Sequence, residues 1–304
     1  MLRVENLTRK FQDKVAVNNI SFTVKPGVIT GLLGPNGAGK TTTMRLLTGY
    51  LEPSAGTIYY DSQNFHENPI VIQKKLGYLP ESAPLYPEMF ISEYLNYMAD
   101  IRGVDKESKS SHVNKMIEIC ELSSHIHTPI GFLSKGFKQR VALAGTLVHD
   151  PDIIILDEPT SGLDPNQISH IRTLIRNLGK EKTLILSTHI LQEVEDICDE
   201  VIIINQGNIV ANSTVKNLHT GHSVFVQVNA GLNQMQPLFK TDDFISVEEF
   251  VEGNDGDYKG YLVHTKESKP ELVFSSLAKS NLKVRELKVF KRSLESIFEE
   301  LTRK

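Results

Sequence analysis

The run Gly34-Pro35-Asn36-Gly37-Ala38-Gly39-Lys40-Thr41 constrains this chain more than any other stretch. Two spaced glycines followed by Lys-Thr make the pattern of a phosphate-binding loop. The surroundings agree. Val28-Ile29-Thr30-Gly31-Leu32-Leu33 predicts a buried strand before the loop, and Thr42-Thr43-Met44-Arg45-Leu46-Leu47-Thr48 predicts a helix after it. The glycines let successive backbone N–H groups turn toward one anion, and the helix N-terminus adds partial positive charge. Lys40 can reach terminal phosphates, and the Thr41 hydroxyl can ligate Mg²⁺. Such a loop calls for a nucleoside triphosphate without saying what its energy drives.

A second constellation lies downstream. Ile153-Ile154-Ile155-Leu156-Asp157-Glu158 is an apolar strand ending in two carboxylates. Next to a phosphate loop, Asp157 suits a Mg²⁺ ligand, directly or through a metal-bound water. Glu158 is placed to orient or deprotonate an attacking water. Without the loop, the same residues would read as a strand followed by a solvated acidic turn.

The 304 residues can hold two domains. A formal net charge of -4 and a pI near 6.2 lack the basic footprint of a nucleic-acid binder, so no nucleic-acid partner is expected. Cys120 and Cys198 sit in apolar-periodic segments and predict reduced, buried thiols of a cytosolic protein. The longest apolar runs are strand-sized, against the ~20 residues a spanning helix needs. Met1–Asn6 lacks a signal-peptide pattern. The chain is therefore expected not to cross a membrane itself.

Strands are predicted at 2–7, 15–24 and 28–33. A helical pattern runs from about Pro80 to Leu133, with Ile91, Tyr94, Leu95 and Met98 on one face and Val113, Met116, Ile117 and Cys120 on another. Strands at 152–157, 183–188 and 201–204 then alternate with helices at 139–149, 166–178 and 190–197. This alternation predicts an α/β fold with a parallel, doubly wound sheet and nucleotide at the strand C-termini. Composition shifts near Thr220-Gly221-His222. Beyond it come a strand from Val224 to Val228, an amphipathic stretch at 231–239, strands at 244–252 and 258–265, a helix at 269–280 and a strand at 282–290. That order, β-α-β-β-α-β, fits a ferredoxin-like module. The expected domains are 1–220, with a helical insertion at about 82–135, and an accessory α+β domain at 221–304. The closing stripe Leu294, Ile297, Phe298 and Leu301 reads as core-facing, with partner binding as the alternative.

Taken together, the motifs resemble the nucleotide-binding subunit of an ABC transporter over residues 2 to about 215, which adds a phosphate-loop NTPase core to the expected α/β fold. Gly34 to Thr42 matches the Walker A segment, with Asn36, Gly37, Ala38, Gly39, Lys40 and Thr41 inside it. Asp157 and Glu158 match the Walker B aspartate and the catalytic glutamate. Ser161-Gly162-Leu163-Asp164 matches the D-loop, which communicates between two sites. His189 matches the switch histidine that contacts the γ-phosphate, and Phe11 falls where the family stacks an aromatic on adenine. Leu133-Ser134-Lys135-Gly136-Phe137 matches the signature LSGGQ with two departures, Lys135 for the first glycine and Phe137 for the glutamine. The resemblance implies that Ser134 and Gly136 hold the γ-phosphate bound by an opposite subunit. Lys135 either adds charge near that phosphate or points to water. Glu81 stands where the family has glutamine and can still ligate Mg²⁺.

The same resemblance implies a Mg²⁺-dependent ATPase, closing as a head-to-tail dimer around two ATP, with an identical copy as the second subunit. It implies a separate transmembrane permease, docked at the region including Tyr86-Pro87-Glu88-Met89-Phe90, and a peripheral place on the cytoplasmic face of the membrane. The module after 220 resembles those appended to ATPases of type-two exporters, including the gliding-motility branch, so export is expected. One alternative is a soluble ABC ATPase acting on ribosomes or nucleic acid. It is opposed by the single ATPase unit and by the lack of zinc-spaced cysteines or a coiled-coil insertion. Another is a module that holds ATP without hydrolysing it, which Glu158 opposes.

Overall fold

The computed structural model describes residues 1–219, 223–240, 242–266, 269–290 and 294–302. The composition shift at Thr220-Gly221-His222 lies outside the described residues. The chain divides into two compact units, Met1–Val215 with Leu301–Lys304, and Lys216–Glu300.

In the first unit, three strands are buried along their whole length, with apolar centres and polar residues mainly at their ends: β3 (Ile29–Leu33), β7 (Ile153–Asp157) and β8 (Thr183–Thr188). A strand apolar on both faces belongs in the middle of a parallel sheet covered on two sides. These strands sit there, in a six-stranded sheet ordered β10-β9-β3-β8-β7-β6, with β6 at Leu76–Leu79, β9 at Glu200–Asn205 and β10 at Asn208–Thr214. Pairing is parallel from β9 to β6, whereas β10 turns back from β9 antiparallel, departing from the all-parallel expectation. The register sets Leu33 beside Thr188, and Asp157 beside Ser187. The C-terminal ends of β3, β8 and β7 therefore reach one edge together.

The early strands do not join that sheet. β1 (Leu2–Phe11), β2 (Lys14–Val24), β4 (Ala55–Tyr60) and the short β5 (Gln63–Asn64) form a separate antiparallel sheet ordered β2-β1-β4-β5. Helix α1 (Lys40–Leu47) buries Met44, Leu46 and Leu47 in one core with Leu2, Val4 and Ile20 from the antiparallel sheet and Ile155, Ile185 and Ile204 from the parallel one. Three large apolar side chains within its last four residues call for cover from both sheets. After α2 (Pro69–Lys74) and β6, the helical region holds α3 (Ile91–Ile101) and α4 (Lys106–Ile119). These pack on α5 (Lys135–Leu147), where the Tyr94 ring occupies the space a side chain at Gly145 would need. The helices α6 (Pro165–Gly179) and α7 (Leu191–Ile197) complete the α/β alternation.

After α8 (Val215–His219), the second unit runs β11 (Ser223–Val228), α9 (Leu232–Met235), β12 (Phe244–Glu249), β13 (Lys259–Thr265), α10 (Pro270–Ala278) and β14 (Val284–Phe290). Its sheet is ordered β12-β13-β11-β14 with every neighbour antiparallel, which is the ferredoxin-like topology. Val224, Val226 and Val228 alternate onto one face and pack against Met235, Phe239, Val263, Val273 and Leu277 in a core of its own. Helix α11 (Leu294–Thr302) buries Leu294 and Ile297. No helix among the described residues is long and apolar enough to cross a membrane.

Candidate functional site

The loop between β3 and α1 is shaped from behind. A Cβ on Gly34 would lie 2.4 Å from the Ile204 carbonyl oxygen, and one on Gly39 would lie 2.5 Å from that of Ala16. Gly39 also has φ +109°, which L side chains rarely adopt. Gly37, at φ +79°, faces open space. Ala38 is buried, and its N–H donates to the Pro35 carbonyl at 3.1 Å. No side chain caps α1 and no acidic residue occupies its first turn, so its leading N–H groups are left for an anion. Asn36, Gly37, Gly39, Lys40, Thr41 and Thr42 line a cleft of about 660 Å³ together with Phe11, Glu81, Glu158 and His189. Gly34 and Ala38 are not on its surface. Phe11 is half-exposed in this cleft, with the Arg9 guanidinium 4.6 Å from its ring centre.

Lys40 is buried, and its ammonium donates to the Gly34 carbonyl at 2.8 Å and the Pro35 carbonyl at 3.3 Å. It also lies 3.6 Å from Glu158 Oε1. The other Glu158 oxygen is 2.8 Å from His189 Nδ1. With the carboxylate ionised, Nδ1 carries the proton and Nε2 is left to face the cleft. Glu158 is held by its backbone at φ +51°, with its N–H directed at both the carbonyl (3.2 Å) and the hydroxyl (3.1 Å) of Ser187. Burial pushes the Glu158 carboxyl above its ordinary range, against the pull of His189 and Lys40.

Asp157 is fully buried. Oδ1 accepts from Ser187 Oγ at 2.5 Å and from Thr41 Oγ1 at 3.4 Å, while Oδ2 has no hydrogen-bond partner among the described residues. Burial raises its pKa, and the Glu81 charge raises it further. Buried polar atoms are rarely left unpaired without a reason. An orphaned carboxylate oxygen beside a hydroxyl, with a second carboxylate near, suits a hard divalent cation.

Ser134, Gly136 and Asp164 stand apart from this cleft and together form a second cluster. Ser134 caps α5, its Oγ accepting from the Phe137 N–H at 3.4 Å. Asp164 caps α6 in a reciprocal pair with Gln167, whose N–H reaches Asp164 Oδ1 at 2.9 Å. A Cβ on Gly136 would fall 2.3 Å from the Gln167 side chain, so the glycine lets the two helix starts meet. The Lys135 ammonium lies over Gly162, where a Cβ would sit 2.0 Å from its nitrogen. Phe137 rests between the His125 ring, centroids 4.1 Å apart, and the Arg140 guanidinium at 5.1 Å.

Two residues unread in the sequence organise the cleft. Ser187 links Asp157 and Glu158 through its hydroxyl. Its signal was a Ser-Thr pair closing an otherwise apolar strand beside the acidic one. Glu193 is buried and accepts from the hydroxyls of Thr160 and Thr188, the latter at 2.6 Å, which ties the segment after β7 to the segment carrying His189. An acidic residue in the apolar register of Ile190 to Val194 marks it.

The fold and the cleft define a nucleoside-triphosphate-binding protein of the phosphate-loop class. A family model described as ABC transporter matches residues 17–161. The uncharacterized ABC transporter ATP-binding protein YhcH of Bacillus subtilis (strain 168) is 32% identical over 309 residues, spanning 99% of this chain and 96% of its own. The Nod factor export ATP-binding protein I of Burkholderia lata is 38% identical over 208 residues, 68% of each chain. A solved structure of the ATP binding subunit of an ABC transporter matches with a TM-score of 0.66 at 28% identity, over 72% of this chain and 92% of that one. The chain belongs to the ATP-binding proteins of ABC transporters. It is an ATP-binding and ATP-hydrolysing subunit whose turnover powers transport.

Proposed function

We propose that the chain binds Mg²⁺·ATP in this cleft, closes as a head-to-tail pair of identical copies, and drives a separate membrane permease in export. The observation that carries the hydrolytic reading is Glu158, a buried carboxylate held at a left-handed turn between Lys40 and His189. In this reading Thr41, Asp157 and Glu81 hold the cation. Mg²⁺ bound there would neutralise charge on the β- and γ-phosphates. Lys40 exchanges its carbonyl contacts for phosphate oxygens, and the amides at the start of α1 orient the chain of phosphates. Glu158 takes the proton of the attacking water, and His189 fixes the rotamer of that carboxylate while its free face meets the γ-phosphate. Phe11 supports the base.

The second cluster is the complementary half. Ser134 offers a hydroxyl and α5 a helix start, but neither lines the cleft of the same molecule. A facing copy would bring them onto the terminal phosphate, with Asp164 and its loop at the seam. Docking to a permease is supported by a groove of about 480 Å³ in the first unit, lined by Tyr50, Tyr78, Tyr86, Tyr94 and Tyr97. It lies next to the strand that leads to Glu81, so movement at the cation can be felt there. Such a permease places the chain on the cytoplasmic face of the membrane. Export, and a place in the type-two class near the gliding-motility branch, is supported by the accessory unit and by the likeness to an export ATP-binding protein.

The test is Glu158→Gln. Nucleotide binding is retained, turnover falls at least a hundredfold, and ATP holds the protein as a dimer in size-exclusion chromatography. Turnover at the native rate would remove Glu158 from the water-activating role.

A further inference from the structure

Phe132 is the most exposed large apolar side chain among the described residues, at 84%. Its backbone is nevertheless fixed. The Ile130 N–H donates to the Met89 carbonyl at 2.9 Å, the Gly131 N–H to that of Pro87 at 2.8 Å, and the Phe132 N–H to that of Pro129 at 3.0 Å. The Lys138 ammonium clamps the Gly131 carbonyl at 3.0 Å. Phe137, on the helix that follows, lies between a ring and a guanidinium. Phe132 has neither among the described residues. A phenyl ring on a rigid turn, left largely exposed by the described residues, is prepared for a partner with a flat, weakly polar face.

Its position in the chain says which. Phe132 lies two residues before Ser134, so their Cα atoms are within about 7 Å. Adding the reach of the ring gives roughly the span from a terminal phosphate to the base of the same nucleotide. On the other side of that nucleotide stands Phe11, which already carries Arg9 on its ring.

We propose that Phe132 covers the base of the nucleotide held by the opposite copy, completing an aromatic clamp whose other jaw is that copy's Phe11. This rests on the head-to-tail reading above. The clamp ties closure to the presence of a base as well as of a γ-phosphate. Stacking of a base on an aromatic side chain is sequence-tolerant, so the clamp favours a nucleotide over bare polyphosphate more than one purine over another.

The experiment uses the full chain carrying Glu158→Gln, with no permease present. The ATP concentration for half-maximal dimer formation is measured by analytical ultracentrifugation. Adding Phe132→Ala is expected to raise it about tenfold or more, and Phe132→Tyr to restore it. Ribose 5′-triphosphate, which offers the phosphates without a base, is expected to close the Glu158→Gln protein poorly, and no worse when Phe132→Ala is added. Unchanged ATP dependence with Phe132→Ala overturns the clamp and leaves Phe132 to the permease. An equal shift with ATP and with ribose 5′-triphosphate also overturns it, because the ring would then act on the Ser134 loop and not on the base. If the Glu158→Gln protein forms no ATP-dependent dimer at all, the head-to-tail reading fails and takes the clamp with it.

Discussion

At the scale of single residues, crowded charge in the cleft has a counterpart elsewhere in the first unit. His149 is half-buried, with Nε2 3.3 Å from the Leu76 carbonyl and Nδ1 without a partner among the described residues. Burial, and then the charge of Arg102, pull its pKa from 6.5 down to about 4. The neutral ring donates from Nε2 to that carbonyl. Between pH 6.5 and 4 the unfolded chain takes up a proton that the folded chain refuses. Stability is therefore complete above pH 6.5 and is lost as the pH falls toward 4. With allowance for the solvent-facing part of the ring, the loss is about 2 kcal/mol. Urea denaturation at stepped pH should show this slope in the native protein and a shallower one in His149→Gln. Equal slopes would mean that the ring titrates freely in the fold.

Among elements, α6 shows how a local motif sets up the second cluster. Asp164 and Gln167 cap each other, and Pro165 occupies the first helical position, where its missing N–H costs nothing. Asp164→Ala should lower stability by about 1 kcal/mol, and Asp164→Ser should recover most of that. Thermal melts distinguish the two outcomes, and a neutral Asp164→Ala would show that neighbours satisfy these N–H groups. Asp164 was named in the sequence as the end of the Ser161–Asp164 motif, and its capping of α6 emerges only from the structure. The contact of Gln167 with Gly136 was not legible either, because the two residues come from different helices and only packing joins them. The buried strands were legible from their unbroken apolar runs. β10 was passed over, since Asn208-Ile209-Val210-Ala211-Asn212-Ser213-Thr214 is a half-buried edge with weak alternation. β6 went unassigned, ahead of the helical pattern that begins at about Pro80, because its four residues are too short to show a period. α5 begins at Lys135 and not at 139, since Ser134 caps a first turn that holds two lysines and a glycine and gives little apolar signal. In the cleft, loop and carboxylates could be named from their order along the chain. The meeting of Lys40, Glu158 and His189 is a product of strand order, with β8 between β3 and β7.

For the whole molecule, two separate cores imply two unfolding events. The accessory unit closes around Val224, Met235, Phe239 and Val263, while every residue of the nucleotide cleft belongs to the first unit. Calorimetry should resolve two transitions, and Mg²⁺·ATP at a hundred times its Kd should raise only the one belonging to the first unit, by about 2.7 kcal/mol. A single transition that moves as a whole would mean that the two units unfold as one cooperative body.

The left-handed backbone at Glu158 carries a cost that the strand before it does not share. A glutamate there pays about 1 kcal/mol or more in conformational strain, besides the burden of a carboxylate kept from water. Glycine would relieve both. An engineer selecting this chain for heat tolerance alone would be drawn to position 158 early, and would gain a sturdier molecule with its water-activating group erased.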